Sequence, residues 1–300
     1  MSDGEAIETL LHLLSGSRAA TESHAGIEKH MQLLSLLENL PLAIAQAAAY
    51  MNNMDMTVSE YLELFTRAQP KLLSKPLMMV EHKERASAAV MTTWNITLDN
   101  IETTNPTSVH VQLLELMSLF NCEDIPEDLI RGTAFFENQC EIVFYDTLEP
   151  LIAYSLIYRL RGSSSFRLHR LVSLWVRIHM DLEDSQRKRE RLQIALELVI
   201  LTIPKDLDYN LQKCLQLKPH AVAVLTYCDS IELELSTVVV KLLGDITKSE
   251  GAYVEALKWY QQALKDMEKT CGNDDPSLLT TINNIGTVFV QQAKYNKALE

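Results

Sequence analysis

Three hundred residues, 47% hydrophobic and 22% charged, suffice for two or three domains with buried cores and exclude a disordered chain. Lys and Arg number 27 against 40 Asp and Glu, and the resulting net charge of −13 repels phosphodiester backbones, so nucleic acid is not expected as the main partner. Apolar runs stop short of the roughly 20 residues a membrane helix needs. The N-terminus MSDGEAIETLL carries acids where a secretory leader carries basic residues, so the expected compartment is the cytoplasm.

In chain order, Ile7, Leu10, Leu11 and Leu14 form one helical stripe, and Met31, Leu34, Leu37 and Leu40 form a second that ends at Pro41. The alanine-rich run 42–50 suits a helix that neighbours approach closely. Thr57 followed by Glu60 has capping-box spacing and predicts a helix over 59–67. Residues 1–68 thus read as a helical subdomain, and 69–87, with Pro70 and Pro76, as a linker. A second unit spans 88–182: helix 109–120, Pro126 at the first position of a further helix, an amphipathic segment 147–157, and a closing helix 171–180. Before the closing helix, Tyr158-Arg159-Leu160 and Phe166-Arg167-Leu168-His169 flank Arg161-Gly162-Ser163-Ser164-Ser165, which predicts one small β-hairpin and a winged-helix unit.

From 183 to 300 the pattern is helical and repeats. Gly244 and Gly286, Tyr253 and Tyr295, Ala256 and Ala298, and Leu257 and Leu299 each lie 42 residues apart, a period that marks a helical array. Small residues are needed where paired helices touch, and Tyr253 is expected to pack on Gly244. Asp275-Pro276 opens the second repeat as an N-cap and first helical residue. Its second helix would begin near Asn296, which is expected to leave Ile285, Val288 and Phe289 uncovered.

Chemistry-bearing motifs are sparse. Cys122, Cys140, Cys214, Cys228 and Cys271 show no metal or redox spacing and read as buried thiols. No H-E-x-x-H, G-x-S-x-G or G-x-x-x-x-G-K-[ST] is present, so no catalytic residue, metal ligand or phosphate loop is nominated and the chain is not expected to be an enzyme. Arg159, Arg161, Arg167, Arg170 and Arg177 form a basic cluster that favours a winged-helix DNA-binding regulator as the alternative reading. Arg187-Lys188-Arg189 reads as a solvated helix face, and Trp94, Trp175 and Trp259 read as core.

Glu38-Asn39-Leu40-Pro41-Leu42-Ala43-Ile44-Ala45-Gln46 resembles the Gly-Leu-Pro-Leu motif of NB-ARC-type signal-transduction ATPases (the STAND class), and the likeness is closest to fungal members with kinesin-light-chain-like tetratricopeptide repeats. Phe166-Arg167-Leu168-His169-Arg170-Leu171-Val172 resembles the Met-His-Asp region of the same family, in a winged-helix unit and in the same order along the chain. Asn39 departs from the family glycine, and Leu168 and Arg170 depart from its Met and Asp. The resemblance implies a mainly α chain: a helical subdomain, a winged-helix unit and the start of an α-solenoid. It implies that Pro41 borders the adenine of ADP and that His169 reaches its β-phosphate. ADP or ATP would be the cofactor of the full-length relative, with none held by this chain alone. A protein partner would sit on the repeats, with homo-oligomerisation in the full-length relative. By this resemblance the chain reads as a fragment that begins just beyond the ATPase core and ends inside a repeat. Its expected role is the regulatory and protein-interaction portion of a nucleotide-switched ATPase, with an ATPase completed by another chain as a third possibility.

Overall fold

The structure, a computed structural model, describes residues 1–15, 26–73, 84–104, 109–137, 139–183, 185–204, 206–207, 209–228, 234–270, 276–294 and 297–298. In chain order the first helices are α1 (Asp3–Leu13), α2 (Gly26–Leu36), α3 (Pro41–Asn53), α4 (Val58–Leu73), α5 (Glu84–Thr104) and α6 (Val109–Leu119). There follow β1 (Ile125–Pro126), α7 (Glu127–Arg131), α8 (Glu141–Ala153), β2 (Ile157–Arg159) and β3 (Ser165–Leu168). The remainder is helical: α9 (Arg170–Glu183), α10 (Ser185–Thr202), α11 (Leu211–Cys228), α12 (Glu234–Ser249), α13 (Tyr253–Thr270) and α14 (Pro276–Gln291). The chain divides into two units, Met1–Leu114 with Glu141–Arg159, and Glu115–Cys140 with Leu160–Glu300. The sequence spans 1–68, 69–87, 88–182 and 183–300 follow changes of local pattern. The two units follow packing instead, and segment 88–182 contributes to both.

In the first unit, α1 opens on a capping box that pattern reading passed over: Ser2 N–H donates to Glu5 Oε2 at 2.9 Å and Glu5 N–H to Ser2 Oγ at 3.4 Å. Its buried stripe is Ala6, Leu10 and Leu14; Leu10 and Leu14 lie as expected, whereas Leu11 is exposed and Ile7 half-buried. The Thr57–Glu60 box is present, with Thr57 N–H donating to Glu60 Oε2 at 2.7 Å and Glu60 N–H to Thr57 Oγ1 at 3.2 Å. It starts α4 at Val58, and the helix continues past Pro70 to Leu73. Tyr50, Tyr61 and Phe65 form the aromatic centre, with ring centroids 5.6 Å and 6.3 Å apart in sequence. Expected over 147–157, α8 instead runs Glu141–Ala153, because its buried positions Phe144, Leu148 and Leu151 begin before Thr147 and the helix tolerates Pro150.

Three strands, one more than the expected hairpin, make a sheet in the order β1–β3–β2. Ile125 lies opposite Phe166 and Pro126 opposite Ser165 in an antiparallel pair. Pro126 therefore ends a strand and precedes α7, at the N-cap with ψ 140°, rather than occupying the first helical position. Proline suits the end of a short strand because it has no N–H to give the ladder. The next residue makes the bond instead, Glu127 N–H donating to Ser164 O at 2.9 Å. Gly162, at φ +82°, supplies the left-handed residue the turn before β3 requires.

The second unit continues as successive helices, α9 to α14, each packed on its neighbours. Glu115 of α6 is buried and clasped by Arg187 at 2.7 Å and Arg191 at 2.9 Å, so Arg187 of α10, half-buried, pairs with a buried carboxylate instead of standing on a wholly solvated face. Trp94 and Trp175 are core, while Trp259 is half-buried and donates to Glu255 at 3.4 Å. Among the cysteines, Cys214 and Cys228 are buried as expected, Cys122 is half-buried, Cys140 is exposed, and Cys271 lies outside the described residues. No helix among the described residues is long and apolar enough to cross a membrane, and no cluster of three His, Cys, Asp or Glu that could hold a metal occurs among them.

Candidate nucleotide-contact residues and partner groove

Pro41 stands at the first position of α3 and is exposed. The chain reaches it through Glu38 and Asn39, at φ 54° and 52°, which end α2 in the left-handed conformation; Asn39 N–H donates to Leu34 O at 3.0 Å. That conformation favours glycine and next asparagine, so asparagine suits position 39. Its Nδ2 also donates to Asp3 Oδ1 at 2.6 Å, tying the turn to the start of α1.

His169 belongs to the other unit, where it immediately precedes α9 and is exposed. Its Nδ1 accepts the N–H of Leu171 at 3.2 Å, and its carbonyl accepts that of Ser173 at 3.0 Å, so it caps the helix. An Nδ1 that accepts leaves the proton on Nε2. Burial lowers the His169 pKa, against the opposing pull of the Glu123 carboxylate, which agrees with a neutral ring. Strand β3, just before His169, is pinned to the loop after α6: Leu168 N–H donates to Cys122 O at 2.9 Å, and Arg167 pairs with Glu123.

The basic cluster is partly spent inside the fold. Arg177 donates to Ser118 O at 2.8 Å and Ser173 Oγ at 2.6 Å and lies over the Tyr227 ring at 4.7 Å. Arg159, in the first unit, donates to the Tyr145 hydroxyl at 2.9 Å, while Arg161 and Arg170 are exposed.

Helix α11 grips the loop after α6, and the start of α7, with one face. Lys213 bonds Asp128 at 2.6 Å, Gln216 bonds Asp124 Oδ2 at 3.2 Å, and His220 Nε2 donates to Asp124 O at 3.2 Å. Residues 213, 216 and 220 follow helical spacing, which aligns the three groups. From another face Lys218 reaches Glu250 at 3.0 Å and Glu255 at 3.1 Å, across the α12–α13 turn. Burial works against the Lys218 charge, but the two carboxylates outweigh it and raise its pKa.

Beside that turn lies a polar cavity of about 670 Å³ lined by Asp206, Asp245, Lys248, Tyr253 and Gln291 among others. Its construction starts at Gly244. A Cβ there would lie 2.6 Å from Tyr260 Cε1, so only glycine admits the Tyr260 ring; the residue against Gly244 is Tyr260, not Tyr253 as the repeat reading expected. The ring is fully buried and its hydroxyl donates to Asp245 Oδ1 at 2.6 Å, while Asn284 Nδ2 donates to the same oxygen at 3.1 Å. Burial and then the Asp245 carboxylate push the Tyr260 phenol above the usual tyrosine range. Tyr253 instead packs with Leu257 and Ile285 on a small core of Ala256, Tyr260 and Val288. Val288 is thus covered and Ile285 partly so; Leu279, Ile282 and Val290 are the exposed apolar residues of α14. Asp245, Tyr260 and Asn284 were missed because the 42-residue comparison finds packing residues, whereas these three converge only when α12, α13 and α14 pack. The signal on the sequence was the interruption of the apolar run of α12 by Asp245 and Lys248. Tyr295 and Leu299 lie outside the described residues.

Two family models match the chain: tetratricopeptide repeat over residues 236–300, and a domain of unknown function (DUF7779) over residues 100–185. A nucleotide-binding leucine-rich repeat (NLR)-like protein of Hyaloscypha variabilis is 29% identical over 264 residues, 84% of this chain and 25% of the relative. The chain therefore spans about a quarter of the length of that relative. No solved structure matches. The chain is similar to an NLR-like protein over most of its length and carries tetratricopeptide repeats at its C-terminal end, in agreement with the resemblance drawn from residues 38–46 and 166–172.

Proposed function

We propose that this chain is the regulatory and protein-interaction portion of a nucleotide-switched signalling ATPase of the cytosol, with its repeats engaging a protein partner. The segment bearing the hairpin, which we read as a winged-helix unit, relays that event to the nucleotide state. The observation that carries the reading is helix α11. One of its faces holds the loop that pins β3 and His169, and another, through Lys218, holds the turn beside the repeat cavity. A partner that moves the α12–α13 turn would therefore bias the position of His169, which is what a two-state relay requires. The tetratricopeptide match and the NLR-like relative support the same role.

In the longer protein, Pro41 borders the adenine and the His169 Nε2–H donates to the ADP β-phosphate, holding the inactive arrangement. The Leu171 N–H on Nδ1 supports this assignment, because it leaves Nε2 as the donor. Homo-oligomerisation follows nucleotide exchange in this scheme.

The test is affinity capture from source-cell extract with the wild-type chain and a variant carrying Asp245→Lys and Tyr253→Ala, followed by hydrogen exchange of the purified complex. A partner lost by the variant, whose binding changes exchange over 165–171, is the expected result. Partners retained equally by the variant, or bound with no change at 165–171, would overturn it.

A further inference from the structure

We propose that the cavity beside α12 seats a cationic side chain of the partner polypeptide, arginine in preference to lysine. The inference rests on the partner-binding reading and names the chemistry of what binds. Asp206 and Asp245 present two carboxylates against the single ammonium of Lys248, so the lining is net negative, in a chain whose net charge is already −13. That field draws cations inward.

Asp245 is built for the task. Tyr260 of α13 and Asn284 of α14 hold its carboxylate from two helices, at 2.6 Å and 3.1 Å, and the glycine at 244 exists to admit the tyrosine ring that delivers the first bond. Both bonds fall on Oδ1, so the lone pairs of Oδ2 are spent on neither. A carboxylate fixed before the ligand arrives loses little freedom on binding, which favours tight and specific recognition.

Arginine fits better than lysine for two reasons. Its planar fork can bond a carboxylate through two N–H groups, and its flat face can stack on Tyr253, which lines the cavity. A cavity of about 670 Å³ also exceeds what one side chain fills, leaving space for the flanking backbone, for which Gln291 offers both a donor and an acceptor.

The experiment titrates the chain with Nα-acetyl-arginine methylamide, its uncharged citrulline isostere and Nα-acetyl-glutamate, followed by NMR of the amides of Asp245, Lys248, Tyr253 and Gln291. Expected are saturable shifts with the arginine probe alone, a loss of affinity of about tenfold or more in Asp245→Asn, and a gain in Lys248→Gln. The Lys248→Gln variant leaves the Tyr260–Asp245–Asn284 bonds untouched, so it reads the electrostatics even if Asp245→Asn perturbs folding. Equal shifts from citrulline, tighter binding of the glutamate probe, no arginine shift up to its solubility, or no gain in Lys248→Gln would overturn the proposal. If the arginine probe fails while the doubly substituted chain still loses its captured partner, the partner reading stands and only the cationic chemistry falls. Arginine binding without any partner that depends on this face would separate them the other way.

Discussion

Inside α11, His220 is 1% exposed and gives its one ring proton to the Asp124 carbonyl, while Nδ1 meets no hydrogen-bonding partner among the described residues. A second proton would sit on a buried atom with nothing to accept it, and burial accordingly lowers the pKa from 6.5 to about 4, against the milder opposing pull of Asp124. Because the folded state prefers the neutral ring, this contribution to stability is complete above pH 6.5 and is lost as pH falls toward 4. We expect His220→Gln to unfold in denaturant with a shallower pH dependence between those values than the parent; parallel midpoint curves would refute the assignment. Tyr61 poses the opposite case. Its phenol is fully buried, burial and then Tyr50 push its pKa up, and its hydroxyl meets no partner among the described residues. Tyr61→Phe should therefore equal the parent or gain up to about 1 kcal/mol in thermal unfolding, since the change removes a desolvated group and keeps the ring. A loss of more than about 1 kcal/mol would mean the hydroxyl is bonded.

Among the elements, the α12–α13 pair turns on one missing methyl group. Gly244→Ala would place a Cβ 2.6 and 2.7 Å from two carbons of the Tyr260 ring, which is fully buried and cannot swing aside. We expect a cost of about 1–3 kcal/mol, measured by denaturant unfolding. Adding Tyr260→Leu to that variant should recover part of it, since the contact is what the alanine violates; additive losses would show that the two positions do not touch. The glycine itself was legible from its repeat at Gly286, although the tight contact does not recur there: a Cβ at Gly286 would meet Ala298 O at 3.7 Å. Its partner was not: Tyr253 and Tyr260 are seven residues apart on one helix face, and only the depth at which α13 packs decides which ring enters. The cap at Thr57 could be read from neighbouring residues, while the span of α8 could not: the expected segment 147–157 already ran through Pro150, and only the packing of Phe144, Leu148 and Leu151 sets its start at Glu141.

At the scale of the whole molecule, the absence of G-x-x-x-x-G-K-[ST] from the sequence bears on nucleotide affinity, most of which comes from the backbone amides and lysine of such a loop. The chain alone should give no micromolar binding of ADP in calorimetry, and heat of binding at that level would show that Pro41 and His169 suffice without it. What the sequence by itself determined is whatever depends on neighbours in the chain or on a fixed period. That covers the helical class, the Gly/Ser turn before β3, the cap of α4, the proline opening α3, and the 42-residue array. Tertiary structure alone decided the third strand, the ion triad around Glu115, the two-faced grip of α11, and the Tyr260–Asp245–Asn284 cluster that shapes the cavity. Each of these joins residues from separate elements, and the energy that selects such a pairing comes from burial and charge balance set by packing, which no local pattern encodes.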